Sequence, residues 1–367
     1  MERVLEQVAG EKPVRFTSQQ LIAMTRNYSQ QLGSGGFGLV YGGYLSNGVK
    51  IAVKVLKNSH GHQAEEQFMA EVTTIGRTHH INLVKLYGFC YENSVRALVY
   101  EYMENGSLDT HLFKPRVVIE WEKLCEIAIG TAKGLAYLHE DCQQRIIHYD
   151  IKPANILLDA NFNPKVADFG LAKLCNREDT HVTMSGYRGT PGYSAPEVLL
   201  HSISVTQKCD VYSFGMLLFE IIGRRKNTKV GSSMENDTLD WFPLRVWEGY
   251  EKGELIVALT MCREIEERHV ESVERMAMVA LWCVQESPKL RPPMSSVIRM
   301  LEGVVEITSP PNPFGYLFSL RMNLENDSYC ESSSQGTHSS WYKETMSVET
   351  TRSSSPYSSD LDGKSLV

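Results

Sequence analysis

The sequence predicts an α+β protein of two lobes, a small β-rich lobe with one main helix followed by a larger helical lobe. Short strand-like segments fill residues 30–103, and apolar segments with helical spacing follow as far as residue 306. A chain of 367 residues is also long enough to bury a large core in two such units. The 42% of hydrophobic and 22% of charged residues are those of an ordinary globular protein.

Residues 1–27 are predicted to be a lead-in that carries one short helix. Residues 1–15 show no periodic pattern and are expected to be poorly ordered. Thr17 and Gln20, three residues apart and ahead of an apolar run, form a capping-box pattern. A helix is therefore expected to begin just after Thr17.

The small lobe is predicted over residues 28–103. The strand-like segments GLVYGGYL and VKIAVKVL flank Asn47-Gly48, which is a strong hairpin signal. The segment QAEEQFMAEVTTIGR then places apolar residues at i, i+4 and i+7, the spacing of one helix face. LVKLYGFCYE and VRALVYEYM predict two further strands.

The larger lobe is predicted over residues 104–306. The segments WEKLCEIAIGTAKGLAYLH, DVYSFGMLLFEIIG and VERMAMVALWCVQ have the apolar spacing of packed helices. After PPNPFG the composition becomes Ser-rich with few aliphatic residues. Residues 307–367 are therefore predicted to be a disordered tail.

Charge, hydropathy and cysteine spacing argue against a nucleic-acid binder, a membrane-spanning chain and a disulfide-rich or zinc-binding protein. A net charge of −7 argues against a dedicated nucleic-acid binder, because such a domain is normally basic. No apolar run approaches the ~18–20 residues that span a bilayer. Eight scattered cysteines without a CxxC pair indicate reduced, cytosolic thiols rather than a disulfide framework or a zinc site.

Three glycines, Gly33, Gly35 and Gly38, form the pattern G-x-G-x-x-G. A dinucleotide-binding fingerprint of this form must open a helix, but here a strand, an Asn-Gly turn and a second strand follow. The context therefore favours the other use of the pattern, a flexible hairpin laid over nucleotide phosphates. Glycines suit that use because backbone N–H groups reach the phosphates with no side chain in the way.

Lys54 lies in a strand-like segment whose neighbours are apolar. An isolated strand lysine is usually solvated, but these neighbours predict that Lys54 is largely buried. A buried lysine requires a partner, and Glu71 on the following helix is the natural candidate. The pair would hold Lys54 against the α- and β-phosphates of a nucleotide.

Two short segments, HYDIKPANILL and VADFG, place polar residues in apolar surroundings. Asp150 and Asn155 lie in a loop, because Pro153 lacks the N–H that a helix interior or a central strand needs. Asp168 ends a strand-like segment ahead of Gly170, which permits a sharp turn. One aspartate alone would be explained as a polar turn, but two carboxylates and a carboxamide form the hard-oxygen set that Mg²⁺ prefers beside phosphates.

In order along the chain, GSGGFGLV, IAVK, Glu71, HYDIKPANILL, DFG and SAPE resemble the signature of eukaryotic protein kinases. The resemblance covers about residues 28–305. RGTPGYSAPE, KCDVYSFGMLLFEI and ALWCVQESPKLRPPM are similar to the plant receptor-like serine/threonine kinases, and among them to the leaf-rust-resistance type. The resemblance implies the bilobal protein-kinase fold and ATP-dependent transfer of phosphoryl groups to Ser and Thr hydroxyls of proteins.

The resemblance also implies a role for each catalytic residue. Asp150 accepts or orients the proton of the substrate hydroxyl, and Lys152 neutralises the transferring phosphoryl group. Lys54 and Glu71 together fix the α- and β-phosphates of ATP.

Two further sets follow from the resemblance, one for the metal ion and one for the nucleotide. Mg²⁺ is implied to bind Asn155 and Asp168. The residues implied to contact ATP belong to the glycine loop, the adenine pocket, its back wall and the hinge. They are Leu32, Gly33, Ser34, Gly35, Gly36, Phe37, Gly38, Val40, Ala52, Lys54, Tyr100, Glu101, Met103 and Leu157.

Other residues resemble specificity and scaffold positions of the family. Lys152 together with Thr190 in RGTPGY is similar to serine/threonine rather than tyrosine kinases. Glu197 and Arg291 are implied to form a buried ion pair, and Asp210 is implied to brace the catalytic loop.

Tyr149 stands where most kinases carry an arginine, so the catalytic loop is of the non-RD type. That arginine normally gathers with other basic groups around an activation-loop phosphate, and Lys173 is what obviously remains of them. We hypothesise that this kinase does not rely on activation-loop phosphorylation to order its catalytic loop. Candidate phosphosites, for which a plain exposed hydroxyl is the competing explanation, are Thr180, Thr183, Ser185 and Thr190.

Two alternative functions agree less well with the sequence. A pseudokinase would bind nucleotide as a scaffold in a receptor complex, but Lys54, Asp150, Asn155 and Asp168 are all present. A P-loop switch is excluded because the sequence lacks GxxxxGK[ST].

The resemblance also sets the expected partners and location. Protein substrates and a membrane receptor or co-receptor kinase are expected as partners in defence-type signalling, and nucleic acid is not. The expected location is the cytoplasm, at the inner face of the plasma membrane through a partner or a transmembrane segment outside this sequence.

Overall fold

The computed structural model describes most of the chain up to residue 315. The described ranges are residues 13–35, 38–56, 62–76, 78–92, 95–114, 118–177, 188–199, 205–227, 241–260 and 265–315.

Six strands form one sheet in the small lobe. They are β1 Val14–Arg15, β2 Gln31–Gly35, β3 Gly38–Tyr44, β4 Lys50–Leu56, β5 Leu86–Glu92 and β6 Val95–Glu101. Their order across the sheet is β1-β5-β6-β4-β3-β2, with β1 parallel to β5 and the other neighbours antiparallel. The predicted hairpin at Asn47-Gly48 is confirmed, and Gly48 takes the left-handed φ of +83° that the turn requires.

The two faces of this sheet differ because side chains alternate along β4. Ile51 and Val53 are fully buried in an apolar cluster on the outer face. Ala52 and Lys54 alternate with them and therefore lie on the opposite face. This alternation places Lys54 on the inner face of the sheet.

Helix α1, Ser18–Met24, covers the outer face of the sheet, where Leu21 is fully buried in the same cluster. Thr17 accepts the N–H of Gln20 and Gln20 accepts that of Thr17, which confirms the predicted capping box. Poor order was expected up to residue 15, but Val14–Arg15 pairs with the edge of the sheet, a backbone contact that side-chain patterns do not reveal. The boundary at residue 27 remains a prediction, although α1 packs as part of the small lobe.

Helix α2, His62–Ile75, is the main helix of the small lobe. Phe68 and Val72 are fully buried, as their spacing predicts. Phe68 packs edge-on against Phe89 of β5, with ring centroids 6.0 Å apart. This packing fixes α2 against the sheet and thereby positions Glu71.

The larger lobe is helical. Its helices are α3 Leu108–Phe113, α4 Trp121–Ala136, α5 Pro196–Leu199, α6 Lys208–Gly223, α7 Phe242–Glu251, α8 Leu255–Thr260, α9 Val270–Cys283 and α10 Met294–Leu301. Two short antiparallel strand pairs accompany them, β7 Arg145–Ile147 with β10 Lys173–Cys175, and β8 Ile156–Leu158 with β9 Pro164–Val166. The predicted α+β architecture with a small β-rich lobe and a larger helical lobe is therefore confirmed.

Helix α6 lies at the centre of the larger lobe because it is apolar nearly all round. Every residue from Cys209 to Gly223 is buried. Helix α9 packs closely against it at Gly215, where an added Cβ would lie 2.7 Å from the Cβ of Cys283. The buried N-terminal turn of α6 carries Asp210 toward the catalytic loop.

Glu197 and Arg291 form the buried ion pair that the kinase resemblance implies. The two guanidinium nitrogens of Arg291 lie 2.6 Å and 2.9 Å from the two carboxylate oxygens of Glu197. Arg291 is only 1% exposed, and its other hydrogen bonds go to backbone carbonyls. The pair joins α5 to the segment ahead of α10.

The start of the predicted tail packs against the larger lobe. Trp282 donates a hydrogen bond of 2.9 Å to the carbonyl of Thr308, and Phe314 is 1% exposed against the ring of Trp241. Residues 316–367 of the predicted tail lie outside the described ranges. Within the described ranges, every helix is too short or too polar to cross a membrane.

Candidate active site

The glycine loop is the hairpin between β2 and β3. At Gly38 an added Cβ would lie 2.3 Å from the carbonyl oxygen of Val55, so the close approach of β4 requires glycine there. At Gly33 and Gly35 a Cβ would meet no atom within 4 Å, so the hairpin borders open space. Two residues of the predicted loop lie outside the described ranges, Gly36 and Phe37.

The predicted adenine-contacting residues lie on the inner face of the sheet and on β8. Val40 pairs directly with Lys54 in the β3–β4 ladder, and Ala52 follows two residues along the same face. Val40, Ala52 and Leu157 are each half-buried, and Leu32 is 38% exposed. Partial exposure of apolar side chains is the state expected of a pocket that accepts an apolar ring. Their contacts with ATP remain a prediction.

The predicted hinge begins at Glu101, the last residue of β6. The N–H of Lys85 donates a hydrogen bond of 2.7 Å to the Glu101 carboxylate, which also lies 3.1 Å from the ammonium group of Lys165. Because the Glu101 side chain is engaged on the protein, its predicted role in base recognition falls to its backbone. Met103 is half-buried, and its carbonyl accepts the N–H of Gly106 at 3.3 Å.

Lys54 is 9% exposed and binds two carboxylates. Its ammonium group lies 2.5 Å from Oε1 of Glu71 and 2.8 Å from Oδ1 of Asp168. The predicted Lys54–Glu71 pair is confirmed. Burial alone would lower the pKa of Lys54, but the carboxylates of Asp168 and Glu71 raise that pKa above its usual range and keep the lysine charged.

Glu71 has a second partner that the sequence did not predict. The hydroxyl of Tyr100, on the neighbouring strand, donates a hydrogen bond to Oε2 of Glu71. Tyr100 is 8% exposed, and burial followed by the nearby Glu71 charge raises the pKa of its phenol. The back wall of the pocket therefore orients Glu71, which in turn orients Lys54.

Asp150 is 2% exposed, and its carboxylate accepts hydrogen bonds from three side chains. Oδ2 accepts from Lys152 at 2.8 Å and from the amide of Asn155 at 2.9 Å. Oδ1 accepts from the hydroxyl of Thr190 at 2.5 Å. The structure thus brings the predicted base and its predicted neighbours into one network.

Thr190 links the catalytic loop to the segment RGTPGYSAPE. Its hydroxyl donates to Asp150 and accepts from the ammonium group of Lys152 at 2.7 Å. The turn that follows holds Thr190 in place, because its carbonyl accepts the backbone N–H groups of Tyr193 and Ser194. A hydroxyl is needed here for both contacts, which favours Thr or Ser at this position.

Asn155 and Asp168 have the donor atoms that Mg²⁺ requires. The amide N–H groups of Asn155 bind the carbonyl and Oδ2 of Asp150, so its amide oxygen is the atom that can bind a metal. Asp168 has φ +65°, and although burial opposes it, the charge of Lys54 holds the pKa of the Asp168 carboxyl below its usual range. One amide oxygen and one ionised carboxylate fit Mg²⁺ that is bound mainly by phosphates and water. Among the described residues there is no cluster of three or more His, Cys, Asp or Glu side chains suited to a metal ion by itself.

His148 is a structural residue of the catalytic loop. Its Nδ1 accepts the backbone N–H of Asp150 at 3.2 Å, and its Nε2 donates to the carbonyl of Ala167 at 3.1 Å. Burial lowers the pKa of His148, which suits this neutral tautomer. Both ring nitrogens are used by the backbone, so His148 is not placed to act as a base.

Tyr149 is 4% exposed and has φ +67°. Its hydroxyl has no hydrogen-bond partner in the described part of the protein. Arg188 acts electrostatically on Tyr149, and Lys173 pairs with Ile147 two residues ahead of it. Burial followed by the charge of Arg188 lowers the pKa of Lys173. Three candidate phosphosites, Thr180, Thr183 and Ser185, lie outside the described ranges.

A family model described as protein tyrosine and serine/threonine kinase matches residues 27–301. The chain is 46% identical over 323 residues to Rust resistance kinase Lr10 of Triticum aestivum, which covers 86% of this chain and 49% of that protein. It is 45% identical over 309 residues to the PR5-like receptor kinase of Arabidopsis thaliana, with 83% and 46% covered.

A third relative, also from Arabidopsis thaliana, is G-type lectin S-receptor-like serine/threonine-protein kinase SD2-5. It is 46% identical over 314 residues, which cover 85% of this chain and 37% of that protein. The chain therefore spans about half or less of the length of these relatives.

Proposed function

This chain belongs to the family of protein tyrosine and serine/threonine kinases, and from that we propose that it transfers the γ-phosphoryl group of ATP to Ser and Thr hydroxyls of protein substrates. One observation carries the proposal. The ammonium group of Lys54 lies within 2.8 Å of both Glu71 and Asp168, the arrangement that an active kinase requires. A scaffold that only binds nucleotide has no need of this triad together with a hydrogen-bonded Asp150.

The geometry supports a distinct role for each residue. Lys54 would hold the α- and β-phosphates, and Asn155 and Asp168 would hold Mg²⁺, which neutralises phosphate charge when bound. Asp150 would orient the substrate hydroxyl and accept its proton, and Lys152 would stabilise charge on the phosphoryl group in transfer. The contact of Lys152 with Thr190 supports serine and threonine as acceptors.

We also propose partners and a location from the names of the relatives, several of which are receptor-like kinases. The chain would act in the cytoplasm at the inner face of the plasma membrane. It would be held there by a membrane receptor or co-receptor kinase, or by a segment outside this sequence, and would serve defence-type signalling.

The test is a phosphotransfer assay with Mg²⁺, γ-labelled ATP and a generic protein substrate, followed by analysis of the phosphorylated amino acids. We expect phosphoserine and phosphothreonine with the wild type and a loss of ~10²–10⁴-fold in rate with Asp150→Asn. Asp141→Asn, at an exposed aspartate near the same loop, is the matched control and should retain the activity. If the wild type and Asp150→Asn were equally inert, the proposal would fail, and retained ATP binding would then favour the scaffold.

A further inference from the structure

A cavity of about 270 Å³ lies in the larger lobe, apart from the ATP and catalytic residues. Its wall is formed by the end of the helical segment after α4, the start of β7, Arg177 in the segment that follows β10, and the first turns of α6 and α10. Arg145, Arg177 and Lys208 line it, together with His139 and Glu140. None of these residues was singled out by the sequence.

The two arginines of this cavity bind backbone carbonyls rather than carboxylates. Arg177 donates from one nitrogen to the carbonyl of Cys142 at 2.7 Å and to the carbonyl of Glu140. Arg145 makes one long hydrogen bond of 3.4 Å to the carbonyl of His139. Among the described residues no carboxylate forms an ion pair with either guanidinium.

Lys208 is the third cation, and its surroundings disfavour its charge. Its ammonium group donates to the carbonyl of Arg291, and within the described ranges it has no carboxylate partner. Burial and the positive charge of Arg291 lower the pKa of Lys208, and the charge of Glu140 offsets this only in part. A half-buried ammonium group in this state is stabilised by any anion that enters the cavity.

One acidic side chain, that of Glu140, lines the cavity beside the three cations, and it already accepts a hydrogen bond from the backbone. Oε1 of Glu140 accepts the backbone N–H of Ser295 at 3.1 Å. Helices α6 and α10 both begin at the wall, at Lys208 and Met294, and so add their positive ends. Three cationic side chains and one carboxylate therefore leave the wall with a net charge of about +2, to which the two helix ends add partial positive charges.

We propose that this cavity binds a phosphate-type oxyanion, which is either the phosphate of a phosphorylated serine or threonine side chain or free inorganic phosphate. A phosphate monoester carries −1.5 to −2 charges at neutral pH, which balances the excess of about two on the wall. Guanidinium groups match the geometry of phosphate oxygens, and both arginines have N–H groups left over for them. A single carboxylate would neutralise only half of this charge.

The cavity is connected to the catalytic loop through His139 and Asp210. His139 forms part of its wall, and Nε2 of His139 lies 2.9 Å from Oδ2 of Asp210. Asp210 in turn accepts the backbone N–H groups of His148 and Tyr149. An anion in the cavity would therefore lie beside His139, which contacts the Asp210 carboxylate that holds the catalytic loop.

The test measures binding rather than activity, so it does not depend on the proposed function. The unfolding midpoint of the purified chain is followed as sodium phosphate replaces sodium chloride at constant ionic strength. A saturating non-hydrolysable ATP analogue is present throughout, so that phosphate cannot act at the nucleotide site. We expect phosphate to raise the midpoint of the wild type, because a ligand that binds the folded state stabilises it.

Arg145→Gln is the chosen variant because, within the described ranges, the guanidinium of Arg145 makes a single long hydrogen bond. Loss of its charged hydrogen bonds should weaken phosphate binding by about 10- to 100-fold. Arg299→Gln, an equal change of charge at an exposed residue of α10, should bind like the wild type. If Arg145→Gln has a lower midpoint in chloride alone, Arg145→Lys replaces it and should bind phosphate with intermediate affinity.

A phosphoserine peptide and its unphosphorylated form distinguish the two sources of phosphate. Tighter binding of the phosphopeptide than of inorganic phosphate, lost in Arg145→Gln, assigns the site to phosphorylated side chains. Equal or weaker binding of the phosphopeptide assigns it to free phosphate. The proposal is overturned if phosphate leaves the wild-type midpoint at its chloride value, or if Arg145→Gln binds phosphate as tightly as the wild type.

Discussion

The backbone N–H of Tyr149 donates a hydrogen bond of 2.8 Å to Oδ1 of Asp210, on the first turn of α6. Tyr149 has φ +67°, a conformation that is costly for an aromatic residue, and Asp210 is fully buried. The other oxygen of Asp210 accepts the N–H of His148 at 2.8 Å. The strained turn ahead of Asp150 is therefore held by a buried carboxylate through the backbone, not by the side chain that replaces the usual arginine.

Asp210→Ala is expected to cost both stability and activity. It leaves two buried N–H groups and the ring of His139 without their acceptor, so the free energy of unfolding should fall by about 3–5 kcal/mol. Turnover should fall as well, because Asp150 follows the released turn. Denaturant unfolding and a phosphotransfer assay measure the two effects, and Asp141→Ala at an exposed aspartate is the control. Wild-type stability in Asp210→Ala would contradict the assigned role.

Tyr149→Phe is expected to stabilise the protein. The Tyr149 hydroxyl is buried without a partner in the described part of the chain, and such a group costs free energy. Its removal should raise the free energy of unfolding by up to about 1 kcal/mol. Tyr100→Phe is the matched control, because the Tyr100 hydroxyl does have a partner, Glu71. It should lower the free energy of unfolding by about 1–2 kcal/mol. Equal effects in the two variants would show that the Tyr149 hydroxyl has a partner.

Local patterns predicted most of the fold and the central ion pair. The capping box at Thr17 and Gln20 depends on residues three apart, and the burial of Phe68 and Val72 follows from helical spacing. Lys54 in an apolar strand could be assigned a carboxylate partner because an unpaired buried ammonium is costly.

The contacts that were not predicted join residues far apart in the sequence. Tyr100 and Glu71 are 29 residues apart, and Thr190 and Asp150 are 40 apart. Neither contact has a periodic or compositional signature, because each depends on how separate elements pack within one lobe. Arg145, Arg177 and Lys208, the three cations that line the cavity of the larger lobe, come from three separate parts of the chain and were missed for the same reason.

Phosphatase treatment is expected to leave most of the specific activity. The turn at Tyr149 is held by Asp210 through backbone hydrogen bonds, which no activation-loop phosphate is needed to form. Tyr149→Arg should bring dependence on phosphorylation, because it adds a cation beside Lys173 and Arg188. Activity is compared before and after complete dephosphorylation, verified by mass spectrometry. A loss of about a hundredfold or more, or roughly 2.7 kcal/mol in activation free energy, restored by rephosphorylation, would defeat the hypothesis.

Thr190→Val is expected to lower kcat by about 10- to 100-fold with a smaller change in KM. The substitution keeps the shape of the side chain but removes the hydroxyl that contacts Asp150 and Lys152. Lost hydrogen bonds to charged groups are worth about 1.5–3 kcal/mol. Thr190→Ser retains the hydroxyl and should recover most of kcat. A rise in KM with kcat unchanged would instead place Thr190 in substrate binding alone.

Glu220→Gln is expected to remove part of the pH dependence of stability. Burial raises the pKa of Glu220 to about 7, against the opposing hydrogen bonds from Tyr193 and from the N–H of Asn227. Because the folded protein then holds this proton more tightly than the unfolded chain, the free energy of unfolding falls as the pH rises from about 4.5 to about 7. The difference is up to about 3 kcal/mol at 1.36 kcal/mol per pKa unit. Denaturant unfolding at several pH values measures it, with Glu251→Gln, at an exposed glutamate on α7, as the control. If Glu220→Gln kept the wild-type slope over this range, the proton would have to reside on another group.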